Sequence, residues 1–181
     1  MSRFKNYLEG VFYFLLFSAI AIFQATFISA LPPILSAINL PLIFLLFSFL
    51  FFKKEVILVL AILMGFWLDL LGFDFFGLHI TIFLLTVLAI DLVLNNWLTN
   101  KSLYSFLVLA TVSTFLVNIV MYLIISIWSS ESESYKFFLF NSFFWRQLFW
   151  QLLWSTSFML LFFNLANYLS KNLKSFFLEK K

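Results

Sequence analysis

Residues 10–52 read GVFYFLLFSAIAIFQATFISALPPILSAINLPLIFLLFSFLFF, an unbroken run without one charged side chain. A helix needs about 20 apolar residues to cross a bilayer, so this stretch is long enough for two crossings. Pro32-Pro33 and Asn39-Leu40-Pro41 punctuate it and mark the connection between them. The first span is read as 11–31. The second is read as 40–52, short unless it borrows residues before Pro41 or thins the bilayer. Arg3 and Lys5 ahead of an apolar run imitate a signal peptide, but the run exceeds the roughly 7 to 15 residues of an h-region and contains Gln24. An uncleaved first helix is expected.

The rest of the chain repeats that character. Of 181 residues, 64% are hydrophobic and 10% charged, where soluble domains carry about a quarter charged residues. The apolar positions number about 116, enough for roughly six crossings and little else. This balance excludes a soluble enzyme, a basic nucleic-acid reader and a disordered tail. With no Cys and a single His, His79, thiol chemistry and a multi-histidine metal site are excluded as well. The sequence carries neither a phosphate-cradling glycine loop nor a nucleophile elbow. No catalytic residue, metal or cofactor is expected.

Further spans are read at 56–73, 78–98, 103–128 and 147–170, with 137–145 lying aromatic-rich at the interface. Lys53-Lys54-Glu55, the break at 72–77, Asn100-Lys101-Ser102 and the Ser/Glu stretch 129–134 separate them. With the N-terminus inside, Arg3, Lys5, Lys53, Lys54, Lys101, Lys171, Lys174, Lys180 and Lys181 fall on the cytoplasmic side. Only Lys136 and Arg146 fall outside, a strong positive-inside bias. Losing one crossing would place the cationic C-terminus on the wrong side. The expected fold is therefore all-α, a single six-helix membrane bundle with both termini cytoplasmic.

Two carboxylates fall within spans, where each costs about 2.5–3.5 kcal/mol on insertion scales and so needs a partner or a wet surface. Asp69 shares a helix face with Ala61, Gly65 and Gly72, a small-residue face that lets another backbone come close. Three of the chain's four glycines, Gly65, Gly72 and Gly77, cluster here. Asp69 either caps neighbouring helix ends and fixes the packing of one subunit, or meets a partner directly or through that packing. A proton relay is disfavoured, since no second acid shares the face. Arg146, at the start of the last span, is expected to pair with Asp69. Asp91 has Asn95 one turn on to share its proton or hydrogen bond. It is read as bonded inside the bundle, or as part of a polar seam toward another subunit. Thr111, Thr114, Asn118 and Tyr122 recur at helical spacing in the fifth span, as do Gln147, Gln151 and Ser155 in the sixth. These stripes are expected to face the bundle and join helices. The lysine-rich tail reads as an orientation and anionic-lipid signal.

Met64-Gly65-Phe66-Trp67-Leu68-Asp69-Leu70-Leu71, followed after a short break by Phe76-Gly77-Leu78, resembles the signature of MreD, the small rod shape-determining inner-membrane family of bacteria. The resemblance carries a glycine, an Asp-Leu pair and a Gly-Leu step onto Gly65, Asp69 and Gly77. Gln24 late in the first helix, Pro41 opening the second and Asn118 at a position that is often Asp agree in order. The chain departs at Leu40, where the family commonly has Arg. The resemblance implies a non-catalytic scaffold in the bacterial cytoplasmic membrane. It would bind MreC, connect indirectly to RodA and a class B penicillin-binding protein, and help regulate lateral peptidoglycan synthesis and rod shape, with no nucleic-acid partner. Gly65, Asp69, Gly72 and Gly77 would shape the partner surface, supported by Asn118 and Arg146.

The family is similar in fold to the S components of energy-coupling-factor vitamin transporters, which supplies the rival expectation of a solute-binding subunit. Ala21-x-x-x-Ala25 matches a small-residue spacing that S components use for docking. That rival requires a cavity of several hundred cubic ångströms lined by polar groups, with Asp69, Asp74, His79 and Tyr122 as candidates. An enzyme acting on lipid-linked substrates is the least supported reading, for want of an acid-base or metal constellation.

Overall fold

A computed structural model describes residues 2–49, 51–72, 75–96, 103–128 and 142–178. The Ser/Glu stretch 129–134, Asp74, Lys101, Lys136, Lys180 and Lys181 lie outside the described residues, as do the side chains of Arg3, Lys5, Lys171 and Lys174. The described residues are helical, with no strand among them: α1 (Ser2–Thr26), a 3-10 turn (Ile28–Ala30), α2 (Pro33–Ser36), α3 (Leu40–Ser48), α4 (Lys54–Leu71), α5 (Leu78–Asn96), α6 (Leu103–Trp128) and α7 (Ser142–Leu178). Three segments, Gly10–Ala30, Leu78–Asn95 and Tyr104–Ile124, are long and apolar enough to cross a membrane. Pro33–Ser48 is apolar but shorter. Helix α4 differs because Lys54 and Glu55 stand at its start and Asp69 near its end.

The first expected span, 11–31, falls on the apolar segment Gly10–Ala30. Helix α1 stops at Thr26, and an irregular passage reaches to Asn39 before α3 begins. Pro33 opens α2, and Pro41 falls in the first turn of α3, where a missing N–H costs nothing. Asn39 caps α3 by accepting from the Leu42 N–H at 3.1 Å. The sequence gives that signal in Asn39-Leu40-Pro41, which we read only as a connection. At the other end α7 begins at Ser142, so residues 142–145 of the aromatic-rich stretch belong to the last helix, while 137–141 lie outside the described residues. No Gly or Pro interrupts that helix, and Phe144 is buried.

Large apolar side chains face both ways, as a bilayer solvent permits. Phe12, Leu15, Val59, Leu92, Phe149 and Leu161 are each more than half exposed. The packed interior joins Phe17 and Ala21 of α1, Leu42 and Leu46 of α3, Met64 of α4, Ile82 and Phe83 of α5, Leu109 of α6 and Met159 of α7. The most extensive pairings are α4 with α5, α1 with α4, and α6 with α7. Helix α3 touches α1, α4, α6 and α7 and ties the two halves together.

Candidate functional site

Helix α4 ends at Gly72, whose extended backbone (φ −79°, ψ 166°) turns the chain away while its N–H still bonds the Leu68 carbonyl at 2.8 Å. Gly77 has φ +96°, a left-handed conformation that an L side chain rarely adopts, and α5 starts directly after it. The first N–H groups of a helix have no acceptor inside it, and at apolar depth water does not replace one.

Asp69 supplies that acceptor. Its Oδ2 accepts from the Gly77 N–H at 2.9 Å and the Ile80 N–H at 3.2 Å. Its Oδ1 accepts from the His79 N–H at 2.8 Å and lies 2.9 Å from His79 Nδ1. With a carboxylate opposite, Nδ1 is the ring nitrogen that carries the hydrogen. The Asp69 side chain is fully enclosed. Hydrogen bonds to a charged group contribute about 1.5–3 kcal/mol each, so four of them, at the positive end of a helix dipole, outweigh the insertion cost of one acid.

Gly65 makes this reach possible. A Cβ there would stand 2.6 Å from Ile80 Cα, 2.7 Å from Ile80 N and 3.0 Å from His79 C, all backbone atoms. Only a glycine lets the first turn of α5 rest on α4 one turn before the acid. Gly65, Asp69 and Gly77 thus form one staple. Of the two readings of Asp69, helix capping is the one its contacts describe.

Two expectations change. The small face with Gly65 and fully buried Ala61 receives the chain's own α5, not a second polypeptide. Among the described residues no ion pair joins Asp69 to Arg146, because α5 already supplies the carboxylate's hydrogen bonds. Arg146 instead lines a cleft with Pro32, Pro33, Ile34, Ser36, Gln147 and Trp150.

Asp91 finds a different partner from Asn95. Lys54 Nζ donates to its Oδ2 at 2.6 Å, from the start of α4 to the far part of α5, while Asn95 is exposed. The α4–α5 pair is therefore pinned at both ends.

The polar stripes of α6 and α7 meet. Asn118 Nδ2 donates to Gln151 Oε1 at 2.8 Å and to the Thr114 carbonyl at 2.7 Å. The Thr114 and Ser155 hydroxyls lie 3.2 Å apart. Thr111 bonds within its own helix, to the Val108 carbonyl. Gln24 holds the irregular passage between α1 and α3, donating to the Ile38 carbonyl at 2.9 Å and accepting from the Leu40 N–H at 3.0 Å. Non-helical backbone at membrane depth persists only when protein groups satisfy it. Trp154 adds a bond to the Ile34 carbonyl, and Trp67 bonds Ser18 between α4 and α1. The sequence reading did not single out these two tryptophans, whose indole N–H demands an acceptor when enclosed.

Around these groups lies a cavity of about 500 Å³. Gln24, Asn39, Gly72, His79, Asn118, Gln147 and Gln151 line it, with Leu68, Ile82, Phe83 and Met121. Every wall comes from the end of the bundle away from Lys53 and Lys54. Of the residues considered for a solute site, His79 lines this space, Asp69 is sealed within the staple, and Asp74 lies outside the described residues. Ala21, half of the small pair considered for transporter docking, is 0% exposed and packed in the core.

No curated protein and no solved structure matches the chain. A family profile described as rod shape-determining protein MreD matches residues 5–169. That match contains the Gly65–Asp69–Gly77 staple, the Gln24 clasp and the Asn118–Gln151 seam. The chain belongs to the MreD family of membrane proteins that take part in determining rod shape.

Proposed function

We propose that this protein is a non-catalytic scaffold of the multi-pass kind in the bacterial cytoplasmic membrane, crossing six times with both termini inside. In this reading it docks the transmembrane helix of MreC and so influences the RodA and penicillin-binding-protein machinery that builds lateral peptidoglycan. The observation that carries it is the α4–α5 staple. The motif that marks the family fixes the relative placement of two helices, whose outward sides expose Val59, Ile62, Phe66 and Leu70 on α4 and Leu85, Leu88 and Leu92 on α5. Asp69 would then act on the partner through packing, without touching it. A helix entering from lipid gains little from hydrophobicity alone, so the shape of such a surface decides whether it binds.

The test is co-purification of MreC with the full chain and with Asp69→Leu, both first shown to be monodisperse by size exclusion. The proposal expects MreC recovery to fall severalfold with the variant. Unchanged recovery together with normal rod shape counts against it.

A second reading rests on the cavity alone: a solute-binding subunit similar to an S component of an energy-coupling-factor transporter. The volume lies within the roughly 300–1,000 Å³ of small-molecule sites, while burial of Ala21 leaves the docking spacing unavailable. A vitamin recovered with the protein after gentle purification would favour this reading over the scaffold.

A further inference from the structure

The cavity and the Arg146 cleft adjoin. Ser36 and Gln147 line both, and the cleft adds about 510 Å³ to the cavity's 500 Å³. Their chemistry differs along the path. The cleft carries a guanidinium beside Trp150 and the Pro32-Pro33 corner. Among the described residues the cavity lining has no Asp, Glu, Lys or Arg and is furnished with amides and hydroxyls. Gln151 is 8% exposed and spends its carbonyl on Asn118, while its amide nitrogen donates to no described residue. Among the described residues every fully buried side-chain nitrogen and oxygen has a partner. Gln151 Nε2 is therefore not one of the fully buried atoms, and Gln151 lines the cavity.

We propose that cleft and cavity together form one binding site for a phosphate or phosphodiester carried on an uncharged, hydroxyl-rich group. The phosphate lies at Arg146, whose planar fork suits phosphate oxygens. The hydroxyls enter the cavity and accept from Gln151 Nε2, with the Gln147 amide and Ser36 hydroxyl at the junction. Charged groups are disfavoured inside, since the described lining residues offer them no carboxylate or cationic side chain as counter-charge. Trp150 is an amphipathic side chain of the kind that sits at headgroup level. The ligand is either the headgroup of a membrane lipid or a soluble phosphorylated polyol.

The experiment measures the melting temperature of the full chain in phosphatidylcholine nanodiscs, with glucose 1-phosphate added or with part of the lipid replaced by phosphatidylglycerol. A ligand that binds only the folded state raises that temperature in a saturable way. A shift with glucose 1-phosphate supports a soluble ligand, and a shift with phosphatidylglycerol alone supports a headgroup. In either case Arg146→Gln and Gln147→Ala each raise the half-saturating concentration about tenfold. The proposal is overturned if neither probe shifts the temperature, if glucose without phosphate acts equally, or if both variants respond as the wild type does. The probes act on the protein without MreC, so the result does not turn on the docking proposal.

Discussion

Replacing Gly65 by Ala tests the staple at its tightest point. The added Cβ must move from 2.6 Å to at least 3.4 Å from Ile80 Cα, a displacement of about 0.8 Å, and the obstacle is backbone that no rotamer change can clear. Moving the first turn of α5 by that amount stretches the 3.2 Å bond from Ile80 N–H to Asp69 beyond hydrogen-bond range and strains the shorter ones from Gly77 and His79. Overpacking costs about 1–3 kcal/mol, and one lost bond to a charged group about 1.5–3 kcal/mol. The variant should therefore lose roughly 3–5 kcal/mol, read as the shift in an unfolding titration in mixed micelles. Gly10→Ala is the matched control. Nothing lies within 4 Å of its Cβ, and Ala in a helix is favoured over Gly by up to about 1 kcal/mol. A double-mutant cycle with Asp69→Asn should show strong coupling, because Gly65 acts by letting α5 reach that carboxylate. A neutral Gly65→Ala, or strictly additive effects, would refute the reasoning.

Other outcomes follow from single contacts. Gly77→Ala should cost about 1–2 kcal/mol from its φ of +96° with no steric clash, and Gly77→Asn should recover part of that loss in the same titration. Breaking the Asn118–Gln151 bond with leucines should reveal a coupling of about 0.6 and at most about 1.7 kcal/mol by double-mutant cycle, the range for polar bonds between membrane helices. Lys54→Met should change stability by less than about 1 kcal/mol, and the effect should shrink with added salt, because the lysine is 42% exposed.

Helix positions were legible wherever the sequence changes character: at Pro41, at Lys53-Lys54 and at the glycines around 72–77. The end of α1 moved from 31 to Thr26, since an apolar stretch does not announce whether it continues as helix or breaks into a passage held by a distant side chain. Gln24 was visible as a polar residue at membrane depth, but its two backbone partners depend on how the chain folds back. Asp69 was legible as a helix cap because an acid precedes a glycine break and a new helix. The Arg146 pairing failed because charge matching ignores local backbone donors. Eight to eleven residues downstream, Gly77, His79 and Ile80 present N–H groups that need an acceptor more urgently than a cation at the end of the bundle does. Asp91 shows the same bias, since Asn95 was near in sequence while Lys54 was near in space. The cavity was not legible at all, because it is the space left between six segments and no residue encodes it alone.

We propose that the staple positions an α4–α5 surface for MreC. The most direct test places a photo-crosslinking amino acid in living cells at Phe66 or Leu88 on that surface, or at Leu15 or Leu161 elsewhere, with and without Asp69→Asn. The account predicts MreC adducts from Phe66 and Leu88 that fade in the Asp69→Asn background at equal protein level. Adducts confined to Leu15 or Leu161, or Phe66 and Leu88 labelling lipid only, would contradict it.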